Sequence, residues 1–245
     1  EFLEDGYLEK MAADLIDDFE SDRTSRNEWS RSYIKGLDLL GMKIEERSQP
    51  WQGASGVFHP LLTEAVVRFQ AQAMGEIFPA SGPVRTKIVG KNTKEKTAQS
   101  QRVEHEMNYL LTEDMTEYRD EMEQMLFRLP LAGSAFKKVY YDPIMERPCS
   151  MFVPAEDFVV SYGASDLMSC PRYTHIMKKT ENEIKELMVN GFYREVELSD
   201  PEQDDSEIQE KYDEMDGAEN VYEDDERYTI LEMHVDIDMP EPFQD

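Results

Sequence analysis

Apolar positions in the first part of the chain recur at helical spacing. They run from Leu8 to Phe19, three or four residues apart, which predicts an amphipathic helix. The pattern breaks at residues 21–23. Ser25 followed by Glu28 then forms a capping-box signature for a second helix, which ends at Gly41.

Two further helices are predicted before the middle of the chain. Leu61 to Ile77 presents a broad apolar face behind Pro60, a residue favoured at helix starts. Val84 to Val89 alternates apolar and polar residues and predicts a short strand. Thr93 to Leu129 then repeats apolar residues every 3.5–3.7 positions, which predicts one continuous helix roughly 50 Å long. Its methionines are typical core-filling residues, and adaptable subunit contacts are the alternative.

After Gly133 the apolar spacing changes from that of helices to that of strands. Thr180 and Glu183 form a capping box for a short helix that ends at Asn190 and Gly191. The chain is therefore predicted to be an α+β protein, helix-rich, with long α-helices and small mixed or antiparallel β-sheets. The predicted strands are Phe136 to Tyr141, Ser150 to Val153, Phe158 to Ser161, Arg172 to Lys179 and Tyr228 to Ile237.

The charge of the chain is strongly negative. The sequence holds 53 acidic and 26 basic residues, a formal net charge of −27. Such a surplus repels nucleic-acid backbones and anionic membrane surfaces, which argues against an ordinary DNA-binding protein. Ser199 to Glu226 alone contains 14 acidic residues and a single basic one, Lys211, and is predicted to be a solvated, mobile loop.

The motifs of common catalytic and cofactor sites are missing from the sequence. No phosphate-binding loop, dinucleotide fingerprint, HExxH or GxSxG is present. The four histidines lack a second His or Cys at ligand spacing, and the acidic residues fit no EF-hand register. Cys149 and Cys170 form no CxxC pair, and there is no signal peptide or long apolar run, so we expect a reducing cytosol. We therefore predict no enzyme activity, no cofactor, no metal and no membrane association.

A segment rich in small residues precedes the helix at Leu61. Residues 48–60 read SQPWQGASGVFHP. Small residues permit close backbone approach, which indicates a tight loop. A contact between subunits is the functional interpretation, and the two are compatible. The candidate contact residues are Trp51, Gly53, Ala54, Ser55 and Pro60.

Three segments together resemble a known family. They are Trp51 to Pro79, Gly133 to Ala164, and Arg172 to Tyr193, which ends in Asn-Gly-Phe-Tyr. In order and spacing they are similar to the N-terminal half of portal proteins from tailed double-stranded DNA bacteriophages, particularly the short-tailed type. The resemblance spans about residues 45–240, and each motif alone is a short string of common residues.

The resemblance implies a structural role without catalysis. Portal proteins form a ring, usually of twelve identical subunits, at one vertex of the capsid in the virion, and they are assembled in the host bacterial cytoplasm. The ring contacts the major capsid protein, docks the terminase motor, later joins tail adaptor proteins, and lets double-stranded DNA be packaged and ejected without sequence-specific binding. This chain would form much of the projecting wing.

The predicted organisation follows from this resemblance. We expect N-terminal helices in residues 1–47, an α+β wing in 48–198, the acidic loop in 199–226 and a strand leading toward the stem or clip in 227–245, with the rest of a longer polypeptide beyond. Acidic residues facing a channel would repel a duplex over a Debye length of about 8 Å and favour passage over binding. Solubility of the outer wing is the alternative role for the acidic block.

Two other classes of protein remain as alternatives. An acidic DNA-mimic inhibitor would need an extended carboxylate array on a compact monomer, whereas nearly half of the net charge lies in one block here. A capsid-associated adaptor or scaffolding protein would be shorter or more uniformly helical.

Overall fold

The computed structural model describes residues 5–41, 51–53, 59–143, 145–201, 207–216 and 227–237. The chain is an α+β protein with helices and small antiparallel sheets. It divides into two compact units, residues 1–41 with 156–245 (unit 1) and residues 42–155 (unit 2). This differs from the predicted linear division, because the first and last parts of the chain lie in the same unit.

Unit 1 combines helices with a three-stranded antiparallel sheet in the order β3-β4-β5. In this sheet Val160 of the first strand pairs with Tyr173, which in turn pairs with His234 of the last strand. The elements of unit 1 are α1 (Asp5–Ser25), α2 (Asn27–Leu40), β3 (Phe158–Val160), β4 (Arg172–Thr180), α6 (Glu181–Val189), α7 (Glu207–Asp216) and β5 (Arg227–Val235).

A buried ion pair joins α1 to β4. The side chain of Asp22 is almost fully buried and accepts hydrogen bonds from Arg172 Nε at 2.6 Å and Nη2 at 3.0 Å. A second carboxylate, that of Asp18, lies 3.0 Å from Arg172 Nη1. This planar, two-pronged geometry suits a guanidinium better than an ammonium, so an arginine is well matched to joining α1 to β4 here.

Unit 2 packs helices against a two-stranded antiparallel hairpin. α5 contacts both α3 and β2, and Val66, Met122, Leu126 and Phe152 are among the buried residues of the unit. The elements of unit 2 are α3 (Leu61–Ile77), α4 (Lys94–Tyr109), α5 (Tyr118–Ala132), β1 (Phe136–Asp142) and β2 (Arg147–Val153).

The predicted continuous helix from Thr93 to Leu129 is wrong. A π-helical turn at Leu110–Asp114 follows α4, and Met115 leaves the helical conformation with φ −88° and ψ 73° before α5 begins. Met115 is buried, whereas α4 has no buried residue. The extra residue of a π turn shifts the phase of the apolar positions, so those of α4 and α5 do not share one face, and only α5 buries its own. The nearly constant spacing of apolar residues from Thr93 to Leu129 therefore did not reveal that two helices with different surroundings are present.

The acidic block is also not wholly a mobile loop. Its central part forms α7, whose Ile208 and Tyr212 are buried against α2. The hydroxyl of Tyr212 makes a buried hydrogen bond with that of Tyr33. The expectation is thus wrong for residues 207–216, because two apolar residues four positions apart give an otherwise charged helix a face to bury. Residues 202–206 and 217–226 lie outside the described part.

Helix ends were predicted with mixed success. The capping box of Thr180 and Glu183 is confirmed, with both reciprocal hydrogen bonds present. The one proposed for Ser25 and Glu28 is wrong, because α1 continues to Ser25, whose hydroxyl donates to the carbonyl of Asp22. α2 begins directly afterwards, without a side-chain cap.

Candidate subunit-contact surfaces

The predicted contact loop is described only in part. Trp51 is 67% exposed, and Pro60 lies at the N-cap of α3. Gly53 has a φ of 90°, and a Cβ added there would meet no atom within 4 Å. Among the described residues, this glycine therefore permits a left-handed backbone conformation rather than a close approach. Ala54 and Ser55 lie outside the described residues, so the candidate site as a whole stays a prediction.

The segment Val84–Val89, predicted as a strand, pairs with no strand in the part of the chain that the structure describes, although its residues alternate between half-buried and exposed. Side chains of α4 bind its backbone instead. Asn108 Oδ1 accepts from the N–H of Val84 at 2.9 Å, and Asn108 Nδ2 donates to the carbonyl of Val84 at 3.1 Å. Glu104 Oε2 accepts from the N–H of Thr86 at 3.0 Å and from its hydroxyl at 2.9 Å.

This arrangement works because helix and strand distances match. One step of four residues along a helix advances about 6 Å, and two residues of extended chain advance about 6.6 Å. Glu104 and Asn108 therefore reach Thr86 and Val84, running antiparallel to the segment. Hydrogen bonds from Thr86 lower the pKa of Glu104, which is the direction expected for a carboxylate that accepts backbone and hydroxyl donors.

A glycine makes room for this contact. Gly82 has a φ of 94°, and a Cβ there would lie 2.5 Å from Asn108 Oδ1. Both its conformation and the closeness of the amide thus require a residue without a side chain.

Within the described ranges, the rest of α4 has little to pack on. The 16-residue helix contains no buried residue. Val103 is 46% exposed, Met107 39% and Tyr109 54%. Helices in proteins gain most of their stability from packing an apolar face, so this helix presents a surface suited to a further contact.

Carboxylates at the N-terminal end of α5, from the N-cap Glu117 and from Glu121, take the place of a neighbouring strand along β2. Glu117 Oε1 accepts from the N–H of Ser150 at 3.4 Å, and Glu121 accepts from the N–H of Phe152. Glu117 and Glu121 are four residues apart, and the residues that they bind, Ser150 and Phe152, are two apart along a strand, as in the contact between α4 and residues 84–86. Burial raises the pKa of Glu117, but hydrogen bonds from Arg147 and Ser150 outweigh it and leave the pKa below its ordinary value.

The opposite edge of this hairpin is exposed. Ser150 pairs with Val139 and Phe152 with Lys137. In an antiparallel pair of strands, opposed residues alternate between pairs that bond to each other and pairs whose N–H and C=O groups both point outward. The N–H groups of Ser150 and Phe152 point outward to α5, so their partners Val139 and Lys137 direct their own backbone groups away from β2. Val139 is 69% and Tyr141 63% exposed, and the described residues supply no strand for this edge.

Lys137 differs from the exposed Val139 and Tyr141 of this strand. Its Nζ lies 4.0 Å from the centre of the Tyr118 ring, a cation–π geometry. Burial lowers the pKa of this lysine, although the nearby carboxylates of Glu121 and Glu117 oppose the effect. The side chain is thus part of the packing between α5 and β1, not a free surface charge.

No chemical centre is evident in the described ranges. Among those residues, no group of three or more His, Cys, Asp and Glu side chains is placed to hold a metal ion. Within the same part of the chain, none of the helices combines the length and the apolar character that a membrane crossing needs.

Comparison with known proteins does not assign the chain. It matches no known protein family and no curated protein sequence.

The surfaces on α4 and β1 were not identified from sequence. The surface on α4 could have been recognised from Glu104 and Asn108, which are four positions apart in a predicted helix. This spacing places two side chains that can bind backbone groups on one face of the helix. The second had no local signal, because only the register of the hairpin decides which edge of β1 is open.

Proposed function

We propose that this chain is the wing segment of a phage portal protein, one subunit of a ring through which double-stranded DNA enters and leaves a capsid. The observation that carries an assembly role is α4, whose 16 residues include none that is buried. A helix of this kind gains packing when a neighbouring subunit covers it. The order and spacing of the segments at 51–79, 133–164 and 172–193 support the portal family in particular.

A cyclic ring suits these surfaces. Identical subunits in a ring meet through two different patches, one on each side of the subunit. The exposed residues of α4 and the open edge of β1 are two such patches within unit 2. The proposed ring has twelve copies, sits at the portal vertex of the virion and requires no catalysis.

The acidic charge agrees with a conduit for DNA. A net charge of −27 on each copy gives a ring a strongly negative surface. Such a surface repels a duplex within a Debye length, about 8 Å at physiological salt, so DNA passes without adhering. The proposed protein partners are the major capsid protein, the terminase motor and the tail adaptors.

Electron microscopy of the complete protein tests the proposal. We expect rings with a central hole about as wide as duplex DNA. A monodisperse monomer that competes with DNA for a nuclease would contradict the portal proposal and favour an acidic DNA mimic instead. A filament or an irregular oligomer without a hole would favour an adaptor or scaffolding protein.

A further inference from the structure

A short basic segment stands out from the acidic surface. Residues 85–96 hold five of the 26 basic residues of the chain and one of its 53 acidic residues. The five basic residues, Arg85, Lys87, Lys91, Lys94 and Lys96, are all exposed.

Within the part of the chain that the structure describes, α4 holds this segment by hydrogen bonds to its backbone. Val84 and Thr86 direct their backbone groups toward α4, where Asn108 and Glu104 bind them. Val84 and Thr86 are half-buried whereas Arg85 and Lys87 are exposed, the alternation expected when successive side chains point to opposite sides. Within the described ranges no carboxylate forms an ion pair with Lys87 or Lys91. The segment is therefore ordered by α4, while the charges of Lys87 and Lys91 are not paired with a carboxylate of the described residues.

A complementary surface exists elsewhere in the same chain. α7 contains five acidic residues among its ten, and its only basic residue, Lys211, lies 3.3 Å from Asp38. Ile208 and Tyr212 fix the buried side of α7 against α2. Glu207 and Glu210 are exposed.

We propose that the basic segment 85–96 of one copy binds the exposed acidic face of α7 in a neighbouring copy. This inference rests on the proposed ring, and it names one of the contacts that would hold the ring together. The segment belongs to unit 2 and α7 to unit 1, so the contact joins two different patches. Repeated from copy to copy, such a contact produces a closed ring or a filament.

A nucleic acid is the other polyanion that a basic segment could bind. DNA is uniformly negative along its length. The acidic surfaces around the basic segment would therefore be repelled by the duplex, and this repulsion opposes the local attraction of the basic residues. A second copy can instead place its acidic helix against the basic segment and direct its remaining charge elsewhere. The concentration of acidic residues on α7, rather than the net charge that every copy carries, therefore favours the protein partner.

Charge reversal in the complete protein tests this contact. The basic variant is Arg85→Glu/Lys87→Glu/Lys91→Glu, and the acidic variant is Glu207→Lys/Glu210→Lys. The matched control, Lys10→Glu/Arg31→Glu/Lys35→Glu, makes the same change in net charge at exposed positions of unit 1. Circular dichroism spectra identical to that of the wild type establish that each variant folds.

We expect each of the two interface variants to weaken ring formation about tenfold or more, since several exposed ion pairs are lost together. The combined variant should restore rings, and the control should retain them. Raising the salt concentration should weaken wild-type rings through the same contacts. Rings that persist in both interface variants would overturn this contact but leave the portal proposal standing. A wild-type protein that forms no oligomer would overturn both.

Zero-length cross-linking of a mixture of ¹⁴N- and ¹⁵N-labelled copies supplies a second measurement. We expect cross-linked peptides joining Lys87 to Glu207 with mixed isotopes. Pairs carrying a single isotope only would show a contact within one chain and overturn the proposal. Loss of duplex DNA binding in the basic variant, with rings unchanged, would identify DNA as the partner instead.

Discussion

Replacing Asn108 with alanine tests whether α4 holds the extended segment through its side chains. The amide of Asn108 makes two hydrogen bonds with the backbone of Val84, at 2.9 and 3.1 Å. Each such bond contributes about 1 kcal/mol net. Alanine regains about 0.5 kcal/mol in helix propensity. Asn108→Ala should therefore destabilise the docked segment by about 1.5 kcal/mol.

Hydrogen exchange measures this change where it occurs. A loss of about 1.5 kcal/mol corresponds to roughly tenfold faster exchange of the amides of Val84 and Thr86. Gln101→Ala is the matched control, because Gln101 lies on the same helix and is exposed. Exchange at the two amides should not change in the control. Equal exchange in Asn108→Ala and the wild type would refute the role of the side chain.

A double-mutant cycle with Gly82 separates packing from backbone strain. Gly82→Ala places a Cβ 2.5 Å from Asn108 Oδ1 in a residue whose φ is 94°. Removing the amide relieves the collision but not the strained φ, so the double variant should cost less than the sum of the single variants. Additive costs, within about 0.5 kcal/mol, would show that the two residues do not meet.

Three further changes test other parts of the structure. Tyr212→Phe leaves the buried hydroxyl of Tyr33 without this partner and should cost about 1–2 kcal/mol, measured by denaturant unfolding; no change would mean that this hydrogen bond does not contribute to stability. The lowered pKa of Glu104 stabilises the docked segment above the ordinary pKa of glutamate, and this contribution should vanish as the pH falls through the lowered pKa. Amide chemical shifts of the segment measure it, and Glu104→Gln should remove the pH dependence. Arg172→Lys loses the bidentate bond to a buried aspartate and should lower the melting temperature by several degrees. The exposed-pair control Arg68→Lys should leave it unchanged, and equal effects of the two would contradict the special role of the buried pair.

Local patterns predicted much of the fold. The α+β class, α3 behind Pro60, the strand at Phe136 and the cap at Thr180 are all present, because each depends on spacing and turn chemistry within a few residues. Thr180 and Glu183 satisfy each other without help from distant parts of the chain. Features of this kind can be predicted from sequence.

The errors have a common physical cause, which is dependence on distant partners. The alternation of Val84–Val89 predicted extended backbone, but pairing with a helix rather than a strand depends on residues 104 and 108. The charge of residues 207–216 predicted solvation, but Ile208 and Tyr212 find a surface on α2. Periodicity describes one element at a time and contains no information about what covers it.

The contact surfaces could be predicted least. Trp51 was proposed from sequence and is exposed, but its exposure in one chain does not select a partner. The open edge of β1 depends on the hairpin register, in which Ser150 pairs with Val139. Neither feature has a signature in nearby residues.

The carboxylates of Glu117 and Glu121 have one more consequence, for how this hairpin can grow. A two-stranded sheet ordinarily offers two edges, and copies could add to both without limit, as in a fibre. Here the β2 edge is closed by side chains that a new strand would have to displace. Strand addition can therefore proceed from β1 alone. A sheet extended on that side stops growing unless the added strand presents another open edge. The blocked β2 edge thus limits aggregation through this hairpin, while the β1 edge stays available for one added strand.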